Sequence, residues 1–233
     1  MHGAKRNKSQ DHNKREIEFI EETHTYLVDG VIRPSVTQIM ATVSKEYFSR
    51  INEAVLNTAR DRGSRIHKAV EEYELYGLIP ESVETKEYLT SYKIAKKIEK
   101  FEVEEIEMKL TNGLFCGTVD QIVVFKQINP ETGEERTIVG LQDLKATAKI
   151  NKELAELQLA GYDKLLRENG MWVEKHTILQ LKKSGYKLEV IKPNHGLWEQ
   201  IEREYFMKHD PEMYADEYEG LEPSQWQADH GHI

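Results

Sequence analysis

Residues 114–126 read LFCGTVDQIVVFK, and residues 136–145 read RTIVGLQDLK. Both stretches are rich in β-branched and other apolar residues, and the segment between them, Asn129-Pro130-Glu131-Thr132-Gly133, has the composition of a turn. Two neighbouring strands are therefore predicted. Period-two alternation predicts three more strands, at about 103–110, 172–181 and 186–192.

Helical patterns surround these strands. An apolar spacing close to 3.6 residues predicts helices at about 35–42, 51–76, 84–100 and 151–169, and a last one from Asn194. Ser35 has the character of an N-cap, Gly63 weakens the long helix locally, and Gly170 is a natural helix stop. Before the helices, Asp29-Gly30 between alternating runs predicts a hairpin. The order predicts an α/β fold: a central mixed β-sheet flanked by helices, with an N-terminal hairpin and helical segment.

Three side chains on the two central strands form a candidate site. Because side chains alternate along a strand, Asp143 and Lys145 point to one face while Leu144 points to the core behind it. Asp120, on the neighbouring strand, can supply a second carboxylate. Two carboxylates beside a lysine suit a hard divalent cation such as Mg²⁺ and the hydrolysis of phosphodiester bonds. Taken alone, an Asp-x-Lys triplet is as consistent with an ordinary surface ion pair.

Length and composition describe a globular chain. The 233 residues correspond to one compact domain with additions, at roughly 150 residues per domain. Apolar residues make up 39% and charged residues 31%, which excludes the composition of a disordered or membrane protein. The longest apolar run, Ile122 to Phe125, is far shorter than the roughly 20 residues of a membrane span, and the N-terminal residues contain no apolar stretch typical of a signal peptide. We expect a cytoplasmic protein.

The net charge of −9 is unevenly distributed along the chain. Residues 210–233 hold seven of the 41 acidic residues and no Lys or Arg, so 32 basic face 34 acidic groups in the rest. This nearly neutral body leaves nucleic acid open as a partner. Residues 1–15 are polar and basic and are expected to form a flexible arm; residues 16–209 are expected to form one domain, helical at 35–100 with the sheet and its helix at 101–192. The acidic tail is expected to be solvated chain, a partner-binding segment or a decoy for a nucleic-acid-binding groove.

Four ordered motifs carry a resemblance to a known family. They are Gly63-Ser64-Arg65-Ile66-His67, Gly117-Thr118-Val119-Asp120, Asp143-Leu144-Lys145 and Gln158-Leu159-Ala160-Gly161-Tyr162. In this order the chain resembles the PD-(D/E)XK nuclease superfamily, and within it the RecB-like exonucleases of phage and prophage type. The resemblance covers about residues 23–192, including the early segment Tyr26 to Ile39, and implies a restriction-endonuclease-like core.

The resemblance implies a role for each motif. Asp120 and Asp143, helped by the Leu144 carbonyl, would ligate the metal, with His67 as a further ligand. Lys145 would orient or activate the attacking water. Gln158 and Tyr162, which share one helix face at i and i+4, would shape the site and hold DNA. Glu107 matches a family position for a metal-contacting glutamate, with Glu105 as its rival on the same strand face, and DNA contacts are expected from the flanking basic residues Arg60, Arg62, Arg65, Lys68, Lys149 and Lys152.

Departures from the family narrow the expected function. A single cysteine, Cys116, excludes the four-cysteine iron–sulfur cluster of some relatives, and the absence of a P-loop motif excludes an ATP site in this chain. We expect an exonuclease dependent on Mg²⁺, with Mn²⁺ as a substitute, that resects duplex DNA ends in phage-type recombination or repair beside a single-strand annealing recombinase. The alternatives are an endonuclease of the same fold and a DNA-binding or recruitment subunit with little catalysis. The oligomeric state stays open.

Overall fold

The computed structural model describes residues 6–10, 15–49, 51–128 and 133–210. The first sheet is antiparallel, and its four short strands follow in chain order: β1 (Arg6–Gln10), β2 (Glu16–Ile20), β3 (Thr25–Val28) and β4 (Val31–Arg33). Three helices come next, α1 (Val36–Ser49), α2 (Glu53–Tyr76) and α3 (Val83–Glu99). The second half of the described chain contains β5 (Phe101–Thr111), β6 (Cys116–Ile128), β7 (Glu135–Lys145), α4 (Lys152–Glu168), β8 (Lys175–Lys182), β9 (Gly185–Val190) and α5 (His195–His209).

The second half builds a central mixed sheet of five strands in the order β5-β6-β7-β8-β9. Neighbouring strands are antiparallel except β7 and β8, which are parallel. A parallel pair needs a crossover connection, and α4 supplies it. Because β6 and β7 are antiparallel, the start of β6 and the end of β7, from which the chain continues to α4, lie at the same edge of the sheet. The predicted α/β architecture, with a mixed sheet flanked by helices, is confirmed.

Two apolar cores lie on the two faces of this sheet. One core joins α1, α4 and α5 to the sheet around Phe115, Leu141 and Trp198. The other joins α2 and α3 to the sheet around Tyr92, Phe101 and Leu144. Consecutive residues of β8 enter different cores, as the alternation of a strand requires. Each helix is thus fixed against one face by its own buried stripe.

The N-terminal sheet is larger than the predicted hairpin. The Asp29-Gly30 turn joins β3 to β4 as predicted, and both turn residues have positive φ, 51° and 82°. The flexible-arm prediction is wrong for Arg6–Gln10, which pairs with β2 through backbone hydrogen bonds that side-chain polarity does not reveal. Residues 1–5 and 11–14 of the predicted arm lie outside the described residues, as do 129–132 of the predicted turn and 211–233 of the acidic tail.

Helix boundaries agree with the capping residues better than with the apolar pattern. Ser35 caps α1 as predicted, since its hydroxyl accepts from the Gln38 N–H, but α1 continues to Ser49 rather than ending at 42. No glycine or proline interrupts that extension. Helix α2 passes through Gly63 without a break and is capped by Asn52 and by Gly77 in the left-handed conformation. No helix in the described part of the chain combines the length and apolar character of a membrane span.

Candidate metal centre and active site

Three potential metal ligands meet where α2 crosses the central sheet. His67 comes from α2, Glu107 from β5 and Asp120 from β6. His67 Nδ1 lies 3.6 Å from Glu107 Oε1 and 3.6 Å from Asp120 Oδ1. One ligand atom of each side chain lies within 4.8 Å of those of the other two. Among the described residues, this is the one group of three or more His, Cys, Asp or Glu side chains with such spacing.

The peptide groups of Leu144 hold two members of this cluster. The Leu144 N–H donates to Asp120 Oδ2 at 2.7 Å, and the Leu144 carbonyl lies 3.0 Å from His67 Nε2. A carbonyl can only accept, so this contact assigns the proton to Nε2. His67 Nδ1 then faces the two carboxylates. A histidine that donates to a carbonyl through one nitrogen and faces a cation with the other is a common arrangement at metal sites.

Glu107 reaches the cluster through an unusual backbone conformation. Its φ is 48°, in the left-handed region that non-glycine residues rarely adopt. The neighbouring pairs Ile106–Gln121 and Met108–Val119 place Glu107 opposite Asp120, just after a register shift in β5. Such strain and bulges are concentrated at functional sites. Glu105 is exposed and lies outside the cluster, so the structure brings Glu107, of the two glutamates, to the other ligands.

A second chain of contacts runs from β7 to α4. Lys145 Nζ lies 3.0 Å and 2.8 Å from the two carboxylate oxygens of Asp143 and donates to Gln158 Oε1 at 2.9 Å. The Gln158 amide in turn donates to the Tyr162 hydroxyl at 3.2 Å. Asp143 and Lys145 therefore share the sheet face that α4 covers, as strand alternation predicts. Leu144 packs in the opposite core.

Buried negative charge dominates the electrostatics of the site. Burial raises the pKa of the Asp143 carboxyl to about 6 although Lys145 lowers it, and burial also raises the pKa of Asp120 against the effect of His67. Burial lowers the pKa of His67, but Asp120 and Glu107 outweigh burial and raise it to about 9. Burial likewise opposes the charge on Lys145, while Asp143 and Asp120 raise its pKa above the ordinary value. The site stabilises positive charge.

The donor set fits a hard divalent cation. Two carboxylates converge with a backbone carbonyl beside them, and these oxygen ligands suit Mg²⁺ and Mn²⁺, while the imidazole of His67 offers one nitrogen ligand. Asp120 and Glu107 raise the pKa of His67, so they favour positive charge at this point. Asp143, also expected as a ligand, lies outside the three-residue cluster and is bonded to Lys145. The Leu144 carbonyl contacts His67.

Two residues near the site were missed by sequence reasoning. Tyr26, in the N-terminal sheet, shares a 2.7 Å hydrogen bond with Thr118 on β6. Burial raises the pKa of Tyr26 to about 12, and Glu107 and Asp120 also raise it. The two bonded residues are 92 positions apart in the chain. The alternating pattern places Tyr26 on a strand but contains no signal for its partner.

Gly117 leaves the room that Tyr162 occupies. A Cβ atom at Gly117 would lie 2.8 Å from Tyr162 Cε1 and 3.0 Å from Leu165 Cδ1. We expect Gly117→Ala to displace the tyrosine ring and to lower the free energy of unfolding, measured in urea, by about 1–3 kcal/mol. At Gly63 no atom lies within 4 Å of the added Cβ, so Gly63→Ala is the matched control and should raise that free energy by about 1 kcal/mol. Equal effects of the two substitutions would contradict this packing.

The predicted DNA-contacting residues lie on α2, on α4 and in the segment just before α4. Arg62 Nε donates to the Ala146 carbonyl at 3.3 Å, which places this arginine next to the end of β7. Arg60 is exposed beside Asn57, and Arg65 lies 3.8 Å from Glu84. The remaining predicted contacts are exposed on their elements: Lys68 paired with Glu72, Lys149 before α4, and Lys152 paired with Glu156.

Comparisons with known proteins give distant likeness only. No family model and no curated protein matches the sequence. Among solved structures, the protein SSO0001 is 15% identical with a TM-score of 0.34, over 74% of each chain. A phage-related exonuclease from Haemophilus somnus 129PT is 11% identical with a TM-score of 0.36, over 78% of this chain and 96% of that one. At these scores the likeness assigns neither a family nor an activity to this chain.

Proposed function

We propose that this chain is a metal-dependent nuclease of the PD-(D/E)XK superfamily that hydrolyses phosphodiester bonds in DNA. The proposal rests on one observation: a cluster of possible metal ligands and a buried ion pair meet at the backbone of Leu144. On one side His67, Glu107 and Asp120 form a cation-binding cluster. On the other side Asp143 and Lys145 form an ion pair that α4 completes. The sequence motifs that resemble the superfamily contribute every one of these side chains except Glu107.

His67, Glu107 and Asp120 would bind the divalent cation. Asp143 and the Leu144 carbonyl would lie next to it. When bound, Mg²⁺ or Mn²⁺ lowers the pKa of water and neutralises charge on a phosphate. The Leu144 peptide fixes two of the ligands before any cation arrives. Such fixed ligands reduce the reorganisation that binding requires. The proposal includes no iron–sulfur cluster and no ATP site.

Lys145 would act directly on the reacting phosphate. Its ammonium remains protonated because Asp143 and Asp120 raise its pKa, and Gln158 fixes its direction. A fixed cation in a largely buried site stabilises the negative charge that develops in the transition state. Tyr162 supports Gln158 through the hydrogen bond between their side chains. The Lys145 ammonium also lowers the pKa of the buried Asp143 and so favours its ionised form.

The finer assignment is a DNA exonuclease that acts on duplex ends in phage-type recombination, in the cytoplasm and beside a single-strand annealing recombinase. Arg60, Arg62, Arg65, Lys149 and Lys152 would contact phosphates on either side of the catalytic residues. The contact of Arg62 with the Ala146 carbonyl supports this, since it sets a guanidinium one residue beyond Lys145. Arg60 and Lys149 are both exposed.

The test is digestion of linear duplex DNA labelled at one end, with Mg²⁺, with Mn²⁺ and with EDTA, beside a closed circular duplex. We expect metal-dependent loss of the linear substrate and an intact circle. Cutting of the circle would instead assign an endonuclease. Binding of DNA without cleavage under either metal would assign a binding or recruitment subunit and contradict the enzymatic proposal.

A further inference from the structure

A chain of buried hydrogen bonds crosses the central sheet behind the catalytic carboxylates. The Thr177 hydroxyl on β8 lies 3.4 Å from Gln142 Oε1 on β7, and the Gln142 amide donates to Gln121 Oε1 on β6 at 2.9 Å. The Gln121 amide donates to the Tyr92 hydroxyl on α3 at 2.9 Å, and that hydroxyl donates to Glu74 Oε1 on α2 at 2.8 Å. We call these five residues the buried hydrogen-bond chain.

Four of the five residues of the buried hydrogen-bond chain lie where water does not reach them. Thr177, Gln142, Gln121 and Tyr92 have no exposed surface, so each lost partner would leave a polar group unsatisfied in the protein interior. The Thr177 hydroxyl lies equally close, at 3.4 Å, to the Leu141 carbonyl, but from Gln142 onward each bond points the same way, toward the Glu74 carboxylate. Bonds aligned in series polarise one another. Burial and the Glu74 carboxylate raise the pKa of Tyr92 above its ordinary value, so the hydroxyl keeps its proton.

Both glutamines stand next to catalytic carboxylates in the sequence. Gln121 follows Asp120 on β6, and Gln142 precedes Asp143 on β7. The two glutamines are also direct partners across the strands. The bond between their side chains therefore ties together the two strand positions that present Asp120 and Asp143 on the opposite side of the backbone.

The buried hydrogen-bond chain ends at Glu74 on α2, the helix that also carries His67. Glu74 follows His67 by seven residues on α2, which is about two helical turns, so the two side chains lie on nearly the same helix face. One contact of that face is His67 with the Leu144 carbonyl, and the other is Glu74 with Tyr92. Lys96 Nζ lies 2.7 Å from Glu74 Oε2 and fixes the carboxylate from its other side. Two contacts about 10 Å apart restrict both the rotation and the sliding of α2.

We propose that Tyr92 is a positioning residue for the metal centre: through Gln121 and Glu74 it holds α2 in register with β6, and so holds His67 at its distance from Asp120. This inference rests on the proposed function, because it assigns to His67 the role of a metal ligand. Removal of a residue that contacts a metal ligand commonly lowers metal affinity by 10- to 100-fold. Tyr92 contacts the proposed ligands only through other residues, so we expect its removal to cause a loss of affinity at the lower end of that range.

The test is a titration of the full chain with Mn²⁺, in which the EPR signal gives the concentration of unbound Mn²⁺ and hence the affinity. We expect Tyr92→Phe to weaken binding about tenfold. Ser91→Ala is the matched control, since Ser91 is the preceding residue of α3, is equally buried, and donates its hydroxyl hydrogen bond to the Lys182 carbonyl at 2.7 Å instead. Ser91→Ala should lower the melting temperature as much as Tyr92→Phe does while Mn²⁺ affinity stays within about twofold of wild type.

A double-mutant cycle separates positioning from general loosening. If Tyr92 acts through His67, then Tyr92→Phe should not weaken Mn²⁺ binding further in a His67→Ala background. A second pair uses Glu74, since Glu74→Gln keeps an acceptor for the Tyr92 hydroxyl and Glu74→Ala does not. Mn²⁺ affinity should therefore be closer to wild type in the glutamine variant.

Three results would overturn the role of Tyr92 and leave the proposed function intact. The first is wild-type Mn²⁺ affinity in Tyr92→Phe, and the second is an equal loss of affinity on Tyr92→Phe with and without His67. The third is equal Mn²⁺ affinity in the two Glu74 variants. Failure of the wild-type protein to bind Mn²⁺ is a different result, because it would remove the metal centre and the proposed function together. The two failures are therefore distinguishable in one set of titrations.

Discussion

Lys145→Met is expected to reduce the rate of DNA cleavage by about 10²–10³-fold, the effect of removing one fixed charge-stabilising group from an active site. The ammonium lies within 3.0 Å of both Asp143 and Gln158, and the methionine side chain replaces its length but not its charge. Mn²⁺ affinity should be unchanged or higher, because the substitution removes a positive charge from the neighbourhood of His67 and Asp120. Cleavage kinetics and Mn²⁺ titration measure the two effects.

Lys164→Met is the matched control for this prediction. Lys164 has a similarly exposed side chain and donates to a buried carboxylate, that of Glu202 on α5, at 2.7 Å and 2.8 Å. Lys164→Met should lower the melting temperature as Lys145→Met does, while DNA cleavage by the folded variant stays at the wild-type rate. Equal rates for the two variants would contradict the catalytic role of Lys145.

Asp120→Asn is expected to abolish metal-dependent cleavage and yet to leave the metal-free protein at least as stable as wild type. The asparagine can still accept from the Leu144 N–H, but it removes one of the two carboxylates of the cation-binding cluster. Burial and Glu107 raise the pKa of Asp120, so the ionised carboxylate destabilises the fold before a cation arrives. Melting temperatures with EDTA and with Mn²⁺ measure this: only the wild type should gain stability from the metal.

Asp163→Asn is the control that separates charge removal from loss of a metal ligand. Asp163 is fully buried, and positive or titratable partners surround it: Arg167 at 2.7 Å, His176 at 2.9 Å and His195 at 3.3 Å. Breaking this group should lower the free energy of unfolding by about 3 kcal/mol in EDTA and leave the stabilisation by Mn²⁺ intact. A large loss of metal-free stability in Asp120→Asn would contradict the account of the site.

Local patterns predicted most of the site because its residues lie on regular elements. Strand alternation placed Asp143 and Lys145 on the same face, and helical spacing placed Gln158 beside Tyr162. The five central strands and five helices in the described residues were also predicted, since each has its own apolar period. The nuclease family and the DNA contacts remain predictions.

The other contacts depend on tertiary structure that no local pattern contains. Tyr26 meets Thr118 only because the N-terminal sheet packs against β6, and Glu107 reaches Asp120 through a left-handed backbone that its residue type disfavours. The buried hydrogen-bond chain had one visible sign in the sequence. Gln121 and Gln142 are polar residues in otherwise apolar strands, next to the two aspartates.

The most direct test of the metal centre is anomalous diffraction from crystals of the full chain grown or soaked with Mn²⁺. The account predicts an anomalous peak in coordination contact with His67, Glu107 and Asp120 together. The same peak should be lost in crystals of Asp120→Asn. A peak elsewhere on the chain, or none in crystals of a protein that cleaves DNA with Mn²⁺, would contradict the central claim.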